Sequence, residues 1–145
     1  MTQQLRFRDV SVGLELDGFT QDVSQEFIDR YAVASLDLNP VHIDPEWASR
    51  AQVFGKPETV LHGMATMSLM ASLVTRNWGA TAQIRKMRSK FTKPVWVGQP
   101  VTFKGMVKEI HRLTPGHNYV VVEVTATDSE GDLVGLCAFD VNLPG

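Results

Sequence analysis

The run from Gly63 to Val74 restricts the fold more than any other stretch. It carries Met64, Ala65, Met67, Leu69, Met70, Ala71, Leu73 and Val74, so a helix built on it is apolar on almost every side. Such a helix belongs at the centre of a domain, and something has to surround it. From Ala80 onward the pattern changes to period two. A strand reads over 81–91, a turn over 93–100, and an alternating strand over 101–108. After a turn at Pro115-Gly116, a further strand over 119–127 puts Val120, Val122, Val124 and Ala126 on one face. Asp128-Ser129-Glu130-Gly131-Asp132 reads as a hairpin turn. The segment 133–141 is apolar on both faces, as in a central or interface strand.

Upstream of the helix, residues 12–19 suggest a first strand, and residues 1–10 a loosely held arm or a short edge strand. Ser24 can cap a helix carrying Phe27, Ile28, Tyr31, Ala32 and Ala34 at helical spacing. That helix should stop near Ser35, because Asn39-Pro40 forces residue 39 out of the helical region. Residues 37–40 are then a turn or loop, and Asp44-Pro45 starts a short helix. Helices and strands are segregated, so the fold class is α+β: one domain over 1–145, with a mostly antiparallel sheet wrapped around a long central helix. An apolar last strand left at an edge invites aggregation, so a homodimer that covers it is expected.

With 43% hydrophobic and 21% charged residues the chain has an ordinary globular composition. A net charge of −2 gives no sign of a nucleic-acid or polybasic membrane surface. No apolar run approaches the ~20 residues that cross a bilayer, and the first residues hold no signal-peptide core. Cys137 is the single cysteine, which excludes an intramolecular disulfide and fits a reducing compartment. A cytoplasmic protein is expected.

Two short clusters carry the chemistry-bearing residues. Asp37 and His42 flank an Asn-Pro turn, close enough to converge on one water as an acid–base pair. By spacing alone they read equally as a turn-former and an exposed loop residue. Gly63 opens the apolar helix, where unpaired amides and the helix dipole concentrate positive charge that can receive an oxyanion. Alternatively, Gly63 only lets a loop pack closely. His62 is either a second catalytic imidazole or a residue that shapes the loop. Met64, Met67 and Met70 are core packing or the wall of an acyl tunnel. The run Arg85-Lys86-Met87-Arg88-Ser89-Lys90 solvates a strand face or holds the phosphates of a carrier nucleotide. The four histidines show no metal-ligand spacing, and no phosphate loop or dinucleotide fingerprint is present.

Together these residues are more specific. Ser35-Leu36-Asp37-Leu38-Asn39-Pro40-Val41-His42-Ile43-Asp44, then Ala48, Phe54 and Leu61-His62-Gly63-Met64, resembles the hydratase motif of the MaoC-like family. Phe91-Thr92-Lys93-Pro94-Val95-Trp96-Val97-Gly98 looks like that family's strand and turn after the helix. The resemblance implies a hot-dog fold and a homodimer, with higher oligomers open. It implies an (R)-specific hydro-lyase that adds water reversibly to a trans-2-enoyl-CoA, in fatty acid metabolism. Asp37 and His42 match the catalytic dyad and Gly63 the oxyanion amide. Asn39, His62, Met67, Ala71, Val74 and Lys90 fall at expected substrate-binding positions. No metal or cofactor is implied, because coenzyme A or carrier-protein phosphopantetheine comes with the substrate. Leu36 departs from the glycine that many members have before the aspartate, and Leu61 from the usual Ala or Val. The alternatives are a 3-hydroxyacyl-carrier-protein dehydratase, a hot-dog thioesterase, and a non-catalytic acyl-thioester-binding subunit.

Overall fold

A computed structural model of the chain describes residues 4–145. Five antiparallel strands form one sheet: β1 (Glu15–Gln21), β2 (Gln83–Phe91), β3 (Val101–His111), β4 (Tyr119–Thr127) and β5 (Leu133–Asn142), in the order β1-β3-β4-β5-β2. Its helices are α1 (Gln25–Ser35), α2 (Pro40–Ile43), α3 (Pro45–Ala51) and α4 (Gly63–Trp78), with a short 3-10 turn at Phe7–Asp9. This is the α+β arrangement expected of a hot-dog fold, with α4 as the filling.

The sheet and α4 fit because their inner faces are apolar and, at two places, bare. Val101, Phe103 and Val107 of β3, Val120, Val122 and Val124 of β4, and Cys137, Phe139 and Val141 of β5 are buried against Met70, Leu73 and Val74 of the helix. Gly105 lies where a Cβ would come within 2.7 Å of Leu73 Cδ2, and Gly135 where one would sit 3.3 Å from Thr66 Cγ2. Glycine at these strand positions lets the helix approach the sheet. The helix is not enclosed on every side: Met64, Ser68 and Arg76 remain exposed in the single chain. Ser68 and Ser72 satisfy their hydroxyls by donating back to the Met64 and Leu69 carbonyls, at 2.8 and 2.7 Å.

Three expectations are corrected. The segment over 4–10 is not a loose arm: Phe7 and Val10 are buried, and the Phe7 amide donates to the Pro144 carbonyl at 2.7 Å. Residues 1–3 of that expected arm lie outside the described residues. The last strand is not an edge, because β2 crosses back to pair with β5 and closes it on both sides. The free edges are β1 and β2, so the apolarity of β5 reflects burial and supplies no argument for a dimer. Finally, residues 40–43 form a helical turn of their own, α2, where Pro40 stands at the first helical position and Asn39 Oδ1 accepts from the Val41 amide at 3.1 Å.

Candidate active site

The loop between α1 and α2 is held by its own short side chains. Ser24 caps α1 at the far end, and at the near end the helix terminates at Leu36, in the left-handed region with φ 62°. The Asp37 amide then donates to Ser35 Oγ at 3.3 Å, and the Asn39 amide to Asp37 Oδ1 at 3.3 Å. One carboxylate oxygen of Asp37 is thereby used in building the loop. The other, Oδ2, lies 3.9 Å from His42 Nε2. That gap is too long for a direct hydrogen bond and suits a water that donates one hydrogen to the carboxylate and the other to the neutral imidazole.

His42 is fixed on three sides. Its amide donates to the Asn39 carbonyl at 3.0 Å, and its carbonyl accepts from Gln25 Nε2 at 2.9 Å. Nδ1 lies 2.7 Å from the Val60 carbonyl. A carbonyl only accepts, so Nδ1 carries the hydrogen and Nε2 presents its lone pair toward Asp37. Burial lowers the His42 pKa below the usual histidine value; the Val60 carbonyl and the Asp37 charge oppose this, and the neighbouring His62 reinforces it. The neutral, proton-accepting form is favoured.

Gly63 is the first residue of α4, and the first helical hydrogen bonds run from Ala65 and Thr66 to the His62 carbonyl, at 3.0 and 3.3 Å. The Gly63 and Met64 amides therefore sit at the positive helix end without helical partners. Gly63 and His42 border a cavity of about 470 Å³ whose walls include Phe54, Leu61, Thr66, Phe91, Lys93 and Val134. A Cβ at Gly63 would stand 3.7 Å from the Phe91 ring, so the glycine leaves that part of the cavity clear.

The remaining expected site residues divide. Asn39 caps α2 and shapes the loop. His62 is buried behind His42 rather than in the cavity wall: its ring stacks on His42 with centroids 3.8 Å apart, and Nε2 lies 3.0 Å from the Asp37 carbonyl. Val74 is fully buried in the helix–sheet core, and Met67 and Ala71 pack at that core's margin; none of the three borders the cavity. Lys90 is exposed and neighbours Phe91 on β2, so its side chain takes the opposite sheet face. In the same basic run, Arg88 makes a bidentate pair with Asp140.

Lys93 was not among the expected site residues. Its ammonium donates to Asp128, Glu130 and Asp132 at 2.8, 3.0 and 2.9 Å, which ties the cavity wall to the β4–β5 hairpin. Burial would raise the Asp128 pKa, but the Lys93 hydrogen bond and the Asp132 and Glu130 amides outweigh it and hold the carboxyl below its ordinary range. Among the described residues, two carboxylate- or imidazole-rich groups have ligand atoms within 4.8 Å of one another, Asp37-His42-His62 and Asp128-Glu130-Asp132. In the first, both imidazoles already spend one nitrogen on a carbonyl; in the second, Lys93 supplies the cation.

A model of the MaoC like domain matches residues 10–130, and the chain belongs to this family. A curated relative, 3-hydroxyacyl-thioester dehydratase Y of Mycobacterium tuberculosis, is 33% identical over 94 residues, covering 63% of this chain and 30% of the relative. The chain thus spans under a third of that protein's length. Among solved structures, the R-hydratase PhaJ1 of Pseudomonas aeruginosa superposes with a TM-score of 0.85 at 22% identity, covering 97% of this chain and 86% of that one. A chain of the ChsH1-ChsH2 complex of M. tuberculosis superposes with a TM-score of 0.80 at 22% identity, covering 92% and 98%. These superpositions show the hot-dog fold. Among the described residues no helix is long and apolar enough to cross a membrane.

Proposed function

We propose that the chain is a hydro-lyase that adds water reversibly to a trans-2-enoyl thioester, giving the (R)-3-hydroxyacyl thioester. The observation that carries this reading is the 3.9 Å gap between Asp37 Oδ2 and His42 Nε2 beside a cavity that His42 and Gly63 both line. The thioester oxygen takes the unpaired amide at the start of α4, which stabilises the enolate that forms as water attacks. The pair holds the water; its hydroxyl adds to Cβ, one member takes the released proton, and the pair returns a proton to Cα on the same face. Atoms balance without a redox partner, and the thiol carrier, coenzyme A or phosphopantetheine, arrives with the substrate.

Run in reverse, the same groups dehydrate a 3-hydroxyacyl chain. The dehydratase relative favours that direction, and rates on CoA against carrier-protein thioesters separate the two. A homodimer belongs to this reading on different grounds from the last strand. Leu36 and Leu38, which flank Asp37, and Phe54 and Phe91, which line the cavity, are all exposed in the single chain, and β2 is a free edge. Light scattering at micromolar concentration should find a dimer.

The deciding assay follows loss of enoyl-thioester absorbance across acyl lengths. Asp37→Asn and His42→Ala should each lower turnover by roughly 10²–10⁴-fold, the usual range for a lost acid–base group, with the fold unchanged. Wild-type turnover in either variant refutes the assignment, and release of free thiol with the enoyl absorbance intact makes the protein a thioesterase.

A further inference from the structure

We propose that His62 is a positioning residue that sets the Asp37–His42 pair and locks it to the oxyanion end of the site. This rests on the hydro-lyase reading above. The geometry is specific to this one side chain. Its Nε2 donates to the main-chain carbonyl of Asp37 at 3.0 Å, so it grips the acid's backbone and leaves the carboxylate free. Its ring lies on His42, with centroids 3.8 Å apart and planes within 24°. The Tyr31 ring of α1 also packs against it, tilted by 59° with centroids 4.8 Å apart. His62 also caps α4 and is bonded directly to Gly63, so one residue touches both halves of the dyad and adjoins the amide that receives the thioester oxygen.

Two observations separate this role from ordinary packing. His62 is 2% exposed, yet its Nδ1 has no hydrogen-bond partner. An apolar residue of similar size would fill the space without burying an unpaired acceptor, so the ring is explained by what Nε2 and its flat face do. The loop it grips has few other restraints. Residues 36–39 are exposed, Leu36 is in the left-handed region, and the hydrogen bonds among Ser35, Asp37, Asn39 and Val41 reach no further than the adjoining ends of α1 and α2. Among the described residues, the His62 bond is the hydrogen bond that ties Asp37 to a residue distant in sequence. The groups facing the stacked rings are Tyr31 from α1, Asp37 from the loop and the Val60 carbonyl from the strand-like segment before α4.

The full chain is compared as wild type, His62→Phe and His62→Gln. Phenylalanine keeps a flat ring on His42 without a donor; glutamine keeps an N–H without the ring. In crotonyl-CoA hydration His62→Phe should lose about 10–100-fold in kcat with KM nearly unchanged, as expected of a sub-ångström misplacement, and His62→Gln should recover most of it. Independently of turnover, ¹⁵N relaxation should show the amides of Leu36, Asp37 and Leu38 leaving the rigid range near an order parameter of ~0.85 for values below ~0.6 in His62→Phe, with α4 unchanged. If His62→Phe fails to fold, His62→Leu takes the same two measurements. Wild-type kcat and a rigid loop in the donorless variant overturn the proposal, as does loosening spread evenly through α4, which marks a mere core residue. A wild-type protein that hydrates no enoyl thioester refutes the hydro-lyase reading instead, and the relaxation measurement still decides whether His62 holds the loop.

Discussion

Two polar clusters reach the same cavity, one through His42 and the other through Lys93, and they are built in opposite ways. On one side Asp37 and His42 stand 3.9 Å apart without a direct bond, and the Asp37 side chain is 53% exposed. On the other, Lys93 meets three carboxylates at 2.8–3.0 Å, and the Asp128 side chain is fully buried. The second cluster has used its bonding capacity, and Asp128 even accepts two backbone amides on its other oxygen. The first keeps an oxygen and a nitrogen lone pair unspent. A saturated cluster holds structure in place; an unsaturated one, supported from behind, has capacity left for a substrate.

The contrast is broken most forcefully by removing the dyad. Asp37→Asn with His42→Ala should cost little more than either change alone, because a pair sharing one water acts as a unit. Kinetics on the double variant read this directly; two multiplicative losses would mean that the residues act separately. Asp37→Asn should move the thermal midpoint little, since Asp37 is exposed, whereas His42→Ala should lower it, because the ring stacked on His62 and its bond to the Val60 carbonyl are lost.

The pH dependence should also set the clusters apart. His42 titrates below the usual 6.5. Activity that needs its Nε2 lone pair is then present above that lowered value and falls as pH drops through it, about tenfold per pH unit on the acid side. The sign for stability is the same. Between 6.5 and the lowered value the unfolded chain binds more protons, so His42 makes folding less favourable as the medium acidifies. A kcat/KM profile with its acid limb above 6.5 would contradict this assignment.

Lys93→Met should do the reverse of the dyad changes, lowering the thermal midpoint while turnover falls less than in Asp37→Asn. Asp128 carries the pH signature. Its folded pKa is depressed, so its contribution is present above the ordinary carboxylate value and lost as pH falls through the folded one. Melting curves of wild type and Lys93→Met should therefore converge in strong acid. Equal turnover losses in the Lys93 and Asp37 variants would remove the distinction between the clusters.

What the sequence made legible follows from how local each signal is. The α4 core, the β4 alternation and the Ser24 and Asp44 caps are local patterns, and they appear where expected. The convergence of Asp37 with His42 was open by spacing and is closed by α2, a single helical turn too short to show periodicity. The Lys93 cluster joins residues 35 to 39 positions apart. It exists only because β2 crosses to pair with β5, which no local pattern encodes. The same crossing puts Phe91 and Val134 into the cavity wall in place of the expected Met67, Ala71 and Val74. Strand order also undid the argument for a dimer through β5.

Leu36 gives the smallest effect, and it bears on what covers the open side of the comparison. Its φ of 62° places a branched side chain in the left-handed region, which costs roughly 1–2 kcal/mol for a residue other than glycine. The residue is 83% exposed, so within one chain almost no packing repays that cost. Leu36→Gly should relieve the strain but loosen the unfolded chain, which returns about 0.4–1 kcal/mol of the gain. A monomer should then melt slightly higher than wild type. If a second copy covers Leu36, the variant instead loses apolar contact, and its melting midpoint becomes more sensitive to dilution than that of wild type. Thermal melts of both proteins over a hundredfold range of concentration distinguish the two cases. A dilution-sensitive loss would mean that leucine is kept beside the aspartate for what the partner places against it.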